Sequence, residues 1–280
     1  MFILDAERLR SLAAGLSDAY ASAEPFPHVV IDGLFPEDVL RRVANGFPRA
    51  GEELWHRFDN PRQRKLATLD ETHIEANARW LLYQLNSSVF VNFLEELTGI
   101  SGLIPDPHFE GGGLHQIERG GFLKIHADFN RHPKLNLDRR LNLLLYLNEN
   151  WREDYGGHLE LWDKSVARCV ERIAPVFNRC VVFTTTDFSF HGHPEPLFCP
   201  PGVTRKSVAL YYYSNGRPAE EATVAHGTLV RARPGETIDG LNGRTAGGLL
   251  KSMLRRLAPA GATGPASDAG KRGREGGSDA

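Results

Sequence analysis

The sequence predicts an α+β chain, with supporting helices first and a β-core of sandwich or jelly-roll type after them. Three observations predict it. Apolar residues recur at helical spacing through much of the first hundred residues. Beyond residue 100 the chain changes to short strand-like runs, set apart by Gly, Pro, Asn or Asp. No long helix falls between those runs, which points to a sandwich or jelly roll.

Residues 4–21 place Leu4, Leu9, Leu12, Leu16 and Ala19 at helical spacing. The run PFPHVVIDGLF holds a short strand ending at Asp32-Gly33. Pro36 stands where a helix begins, ahead of VLRRVANGF. Residues 73–98 form the longest helical stretch, with a break near Asn86-Ser87-Ser88, and Gly99 stands at its end. Between them, WHRFDNPRQRK (residues 55–65) is a basic, aromatic loop: a solvated connection, or a lid that touches substrate. Five later runs are strand-like: HQIERGGFLKIHADFN, RRLNLLLYLNEN, GGHLELWD, RCVVFTTT and KSVALYYYS. From Ala258 onward Gly, Ala, Ser, Pro and charge dominate, so residues 258–280 are expected to be a disordered tail. The organisation expected is one domain over 1–257. It comprises helical support (1–100), β-core (101–218) and a C-terminal extension (219–257).

Composition excludes several classes. The chain has 280 residues, 41% of them hydrophobic, enough for one large core or two modest ones. A formal charge of −2 leaves no basic footprint, so no nucleic acid is expected as partner. Three cysteines (Cys169, Cys180, Cys199) with no Cys-x-x-Cys spacing are neither a disulfide framework nor a thiolate zinc site. There is no run of about 20 apolar residues, so no membrane span is expected. The N-terminus mixes acid and base early, unlike a secretory signal, and the expected location is the cytoplasm.

The chemistry concentrates at GFLKIHADFNRH, where His126 and Asp128 are separated by one residue. That spacing alone is weak. With 11 His and 35 acidic residues, chance placement produces about 1.4 His-x-acid pairs. The others are His73/Glu75, His108/Glu110, His158/Glu160 and His193/Glu195. Strand parity separates them. In KIHADF, Lys124, His126 and Asp128 share one face, and Ile125, Ala127 and Phe129 the other. Side chains two residues apart on a strand stand roughly 7 Å apart at the backbone, so both tips can converge on one ion. His73/Glu75 falls on a helix, where such positions diverge. His108/Glu110 lies in a Pro/Gly loop, and His158/Glu160, after Gly156-Gly157 on a strand, shares the required parity and stays open at this point. A mononuclear non-haem Fe(II) site needs two imidazoles and one carboxylate on one face, the other positions open. The second imidazole is His191 or His193, in DFSFHGHPEP after an apolar strand.

Taken together, these segments resemble the 2-oxoglutarate- and Fe(II)-dependent dioxygenases, in their prolyl-4-hydroxylase-like branch. GGFLKIHADFN is similar to the strand bearing the first two iron ligands, and LLLYLNENW to the apolar strand that ends Tyr-Leu-Asn before a Trp. YGGHLELWD resembles the family's Gly-Gly turn and strand. RCVVFTTTDFSFHGHPEP resembles the strand leading to the distal His, and TRKSVALYYY the Arg-x-Ser strand. The order is the family's, over roughly residues 113–214.

The resemblance implies a double-stranded β-helix core, jelly-roll or cupin-like, with N-terminal supporting helices. It assigns Fe(II) to His126, Asp128 and His191. His191 aligns with the family's His-Gly before a Pro, whereas His193 directly precedes Pro194 at a turn. It assigns the distal carboxylate of 2-oxoglutarate to Arg205, whose planar fork suits a carboxylate. Tyr146 and Ser207 are further donors. The spacing from His191 to Arg205 is long for prolyl hydroxylases. 2-Oxoglutarate would chelate the metal through its 1-carboxylate and 2-oxo group, with ascorbate as a stimulant. O2 and an organic or peptidyl substrate complete the reaction, which releases succinate and CO2. Related halogenases carry a small residue in place of Asp128, so a carboxylate there favours hydroxylation, or a derived desaturation or cyclisation. The competing expectations are a cupin-like metal-dependent isomerase or lyase, and a catalytically silent binding module.

Overall fold

The structure, a computed structural model, describes residues 3–68, 71, 72 and 74–240. The expected tail, the boundary at residue 257 and His73 lie outside the described residues. Among the described residues of the first hundred there are four helices and three strands: α1 (Ala6–Ser22), β1 (His28–Asp32), α2 (Glu37–Asn45), β2 (Trp55–Asn60), β3 (Gln63–Thr68), α3 (Ala76–Leu85) and α4 (Ser88–Thr98). The Asp5 carboxylate caps α1 by accepting from the Glu7 and Arg8 N–H groups. The expected break falls at Asn86 and Ser87, between α3 and α4. Gly99 ends α4 at φ 70°, a left-handed conformation that costs glycine little.

The remaining strands are β4 (Ile104–Pro105), β5 (Gly113–Ile117), β6 (Phe122–Ala127), β7 (Asp138–Tyr146), β8 (Leu159–Trp162), β9 (Cys169–Ile173), β10 (Arg179–Thr184), β11 (His191–His193), β12 (Arg205–Ser214) and β13 (Leu229–Val230). All five strand-like runs read from the sequence are strands. The first of them splits into β5 and β6 at a turn. Every pairing is antiparallel, and the order is β1-β10-β7-β12-β5-β3-β6-β11-β8-β9. This is the curled sheet of a double-stranded β-helix.

Alternation on β7 and β12 builds the two faces. Leu141, Leu143 and Leu145, with Val208, Leu210 and Tyr212, join α1, α3 and α4 in the main apolar core. The other face carries Asn142, Leu144 and Tyr146 opposite Tyr211, Ala209 and Ser207. The helices therefore close one side of the sheet, and the polar residues are left for the inside of the curl.

Two expectations need correction. Residues 55–65 are not a loop but most of the β2–β3 hairpin. Its turn is built by the Asn60 side chain, which accepts from the Arg62 and Gln63 N–H groups. The segment is poor in β-branched residues and becomes a strand because it is paired. Leu66 and Ala67 bond β5, while Gln63 and Arg64 bond β6. So β3 joins the two halves of the sheet, and Lys65 sits where it passes from one to the other. The second correction concerns Phe129. Ile125 and Ala127 pack outward with Trp162 and Phe190 as parity requires. β6 ends at Ala127, however, and Phe129 turns inward against Tyr211. Short β9, β11 and β13 were not legible as strands in the sequence.

Leu143 is fully buried between sheet and helices. Leu143→Ala should lower the unfolding free energy by about 3 kcal/mol, read from the urea midpoint at unchanged slope.

Candidate active site

β6 and β11 run antiparallel with His126 directly opposite His191. The ring centroids stand 4.5 Å apart. Asp128 lies one residue beyond β6 and completes the group. Its Oδ1 is 3.5 Å from His126 Nε2, and its Oδ2 is 3.6 Å from His191 Nε2. The three ligand atoms all lie within 4.8 Å of one another, and all three residues are buried. His126 Nδ1–H donates to the Lys124 carbonyl at 2.8 Å, and His191 Nδ1–H to the Ser189 carbonyl at 2.9 Å. A carbonyl only accepts, so each Nδ1 carries a proton, and it is Nε2 of each ring that faces Asp128. Two imidazoles and a carboxylate are the donor set that suits non-haem Fe(II), and backbone carbonyls fix the direction of both imidazoles.

Asp128 owes its charge to neighbours the sequence reading missed. Burial alone would raise its pKa. Arg139, aided by the two imidazoles, overrides burial and holds the carboxyl well below the usual carboxylate range. Arg139 Nη2 and Asn142 Nδ2 both donate to Oδ2, at 2.9 and 2.8 Å. The guanidinium is itself 0% exposed. It stacks 3.4 Å from the Tyr211 ring centroid and 4.5 Å from that of Phe129.

His193 stands outside the three-residue group. Two residues of β11 span three of β6, and the slip sets His193 opposite Leu123. Gly192 between them allows the close pairing: a Cβ there would lie 2.7 Å from the Leu123 carbonyl oxygen. His193 instead lines a cavity adjoining the group, with Arg205, Ser207, His115 and Lys65. Neither of its ring nitrogens has a protein partner, and burial pushes its pKa well below the ordinary value. It is a neutral donor and acceptor facing that cavity.

Arg205 is 4% exposed. Its Nε donates to the Gly157 carbonyl at 2.8 Å, and Nη2 to the Tyr146 hydroxyl at 3.2 Å. Among the described residues no carboxylate pairs with it. A buried cation without an anion is unfavourable, so this cavity suits an anionic guest. Burial raises the Tyr146 pKa, which keeps its O–H available as a donor. Gly157 is required here, because a Cβ would meet Arg205 Cδ at 3.0 Å and Leu197 Cδ2 at 2.5 Å. The Gly-Gly turn of the sequence thus makes room for the arginine.

A second, outer cavity of about 300 Å³ opens on His126 and Asp128. The β2–β3 hairpin contributes Phe58, Arg62 and Lys65 to it, and the C-terminal extension Thr228 and Val230. That extension is anchored by β13, whose Val230 pairs with His126, and by the Lys124–Glu236 ion pair at 2.6 Å. The sequence-derived residues are therefore gathered: His126, Asp128 and His191 as one group, Arg205 and Ser207 on the adjoining cavity, and Tyr146 through Arg205. The rival His158 is taken by Glu153 at 2.9 Å.

Residues 112–213 match the family model described as 2OG-Fe(II) oxygenase superfamily. Among solved structures, a prolyl-4-hydroxylase from Pseudomonas putida is similar at 18% identity and TM-score 0.50, covering 73% of this chain and 100% of its own. A Trichoplax adhaerens prolyl hydroxylase, in complex with a hypoxia inducible factor oxygen degradation domain peptide fragment, is similar at 17% identity. Its TM-score is 0.55, and 74% of this chain and 91% of that one are covered. A prolyl 4-hydroxylase from Phytophthora capsici reaches 20% identity and TM-score 0.50 over 92% of this chain and 76% of its own. At these identities the likeness is one of fold. No curated protein matches the sequence.

Two outcomes are expected of the site. Burial, with His126 adding to it, lowers the His191 pKa from 6.5 to about 4. Between those values the unfolded chain binds a proton that the folded one lacks, so stability falls as pH drops. The loss in metal-free protein should be about 3 kcal/mol from this group. Urea midpoints at pH 7 and at pH 4 to 5 measure it, and equal midpoints would contradict a buried neutral imidazole. Gly157→Ala should displace Arg205 and weaken binding of a dicarboxylate at least tenfold, roughly one charge-assisted hydrogen bond.

Proposed function

Since this chain belongs to the 2OG-Fe(II) oxygenase superfamily through its β-core, we propose that His126, Asp128 and His191 hold its iron and that Arg205, Tyr146 and Ser207 hold 2-oxoglutarate. The chain is a 2-oxoglutarate-dependent oxygenase acting with O2 on an organic or peptide substrate. Our reading of the reaction is hydroxylation of an unactivated C–H bond in an amino acid, a peptide residue or a natural-product intermediate. One observation carries the assignment of residues: a buried, unpaired arginine lines the cavity beside a His-Asp-His group.

Fe(II) held by His126, Asp128 and His191 would supply the redox chemistry that couples loss of CO2 from 2-oxoglutarate to use of O2, one oxygen atom going to succinate and the other to the substrate. The protein's part is binding, orientation and exclusion. Arg205 offers a charge-assisted fork to the distal carboxylate, and the Tyr146 O–H donates beside it. His193 adds a neutral hydrogen-bonding edge to the same cavity. Arg139 and Asn142 keep Asp128 ionised and fixed in direction, so that it serves as a ligand and not as an acid. The hairpin and the C-terminal extension wall the chamber and limit water. No helix among the described residues is long and apolar enough to cross a membrane. Three free thiols suit a reducing compartment, and we place the protein in the cytoplasm.

Anaerobic addition of Fe(II) and 2-oxoglutarate should produce a visible metal-to-ligand charge-transfer band. Its absence, with iron shown to be bound, would refute the reading. His126→Ala should abolish succinate release. Arg205→Ala should raise the 2-oxoglutarate concentration needed by about 30-fold or more. Asp128→Ala should in addition lose about 3 kcal/mol of stability, because it strands Arg139 as a buried unpaired charge.

A further inference from the structure

Charge does not balance around the outer cavity. Its lining carries the cations Arg62, Lys65, Lys124 and Arg139 and the anions Glu110 and Asp128. Arg139 is matched by Asp128 at 2.9 Å, Lys124 by Glu236 at 2.6 Å, and Glu110 by Lys134 at 3.3 Å. Lys65 and Arg62 remain, and among the described residues no carboxylate pairs with either. Lys65 is the more telling of the two. It lies opposite Phe58 in the hairpin register, with its amine 5.5 Å from that ring. It lines both the outer cavity and the one that holds Arg205. Its backbone is fixed by β3 pairing on both sides, to β6 before it and to β5 after it. The backbone that carries the amine is therefore held on both sides of Lys65.

The co-substrate does not account for it. 2-Oxoglutarate brings two carboxylates. One meets Arg205 in the reading above, and the other goes to the metal. Fe(II) adds two positive charges and 2-oxoglutarate removes two, so Lys65 and Arg62 are left facing the substrate's chamber. Burial lowers the Lys65 pKa, Asp128 pulls it up, Arg139 and Arg205 push it down again, and it settles at about 8. At neutral pH the amine is mostly charged, in surroundings that would favour an anion beside it.

We propose that the primary substrate carries an anionic group, a carboxylate or a phosphate, which Lys65 binds inside the chamber and Arg62 attracts at its rim. This rests on the oxygenase reading and narrows its substrate class. Neutral substrates would leave Lys65 with no counter-charge, which is how the site would reject them.

The test uses the full-length protein loaded with Ni(II) and 2-oxoglutarate, titrated calorimetrically with sodium sulfate against sodium chloride of equal ionic strength. The wild type should bind sulfate saturably at one site. Lys65→Gln removes an amine with no protein hydrogen bond, so the variant should fold. It should bind sulfate at least about tenfold more weakly, the scale of a lost charge-assisted hydrogen bond. Its 2-oxoglutarate affinity should stay within about twofold, a change too small for a lost ion contact. Arg62→Gln, at an exposed turn, should weaken sulfate about threefold. No saturable sulfate binding, or sulfate binding equal in wild type and Lys65→Gln, overturns the proposal. So does a tenfold loss of 2-oxoglutarate affinity in Lys65→Gln, which would assign the amine to the co-substrate. Should Lys65→Gln be unfolded by circular dichroism, the Arg62→Gln titration decides in the same way. Failure of the nickel-loaded wild type to bind 2-oxoglutarate at all is a different result, and it refutes the oxygenase reading itself.

Discussion

The ion pair between Asp128 and Arg139 is the constraint on which the site depends. A carboxylate between two imidazoles, away from water, would by burial alone take up a proton and lose its charge. Arg139 prevents this from a position with no solvent contact of its own. That arginine is in turn tolerated because its faces lie on Tyr211 and Phe129 and one edge bonds Asp128. The inward turn of Phe129, just past the end of β6, belongs to this arrangement. Neither charge is stable there without the other, so the His-Asp-His group and the aromatic wall of the outer cavity are one structural unit.

β6 is the strand that makes everything else meet. Along one edge β11 sets His191 opposite His126. Along the other, β3 covers its start and β13 its end. The hairpin and the C-terminal extension are thereby positioned as walls by the same strand that carries His126. A shift of one residue in any of these pairings would turn the wrong side chains inward. The slip between His191 and His193 shows how much a register decides. Both histidines line the same inner cavity, but only His191 stands opposite His126 and joins the His-Asp-His group.

Much of the scaffold was legible in the sequence because it follows local rules. Apolar spacing located α1 and the broken stretch of α3 and α4, and strand-like runs bounded by Gly, Pro, Asn or Asp located β6, β7, β8, β10 and β12. The β2–β3 hairpin was not legible: WHRFDN and QRKLAT have modest strand propensity, and their conformation comes from pairing with distant strands. Arg139 was passed over for a related reason. An arginine in Asp138-Arg139-Arg140 ordinarily reads as solvent-facing, and only the tertiary arrangement makes it the partner of Asp128.

The sequence by itself determined the chemistry on offer: a His-x-Asp pair on one strand, two candidate histidines after another, and an arginine with a serine on a third. Those are properties of residue type and short-range periodicity, which a strand's two-residue repeat makes readable. The tertiary structure decided which histidine faces His126, that Arg139 is buried, that Gly157 clears space for Arg205, and that Lys65 enters the chamber. Each of these depends on the register between segments far apart in the chain. Register is set by packing and by a bulge, which no local pattern encodes.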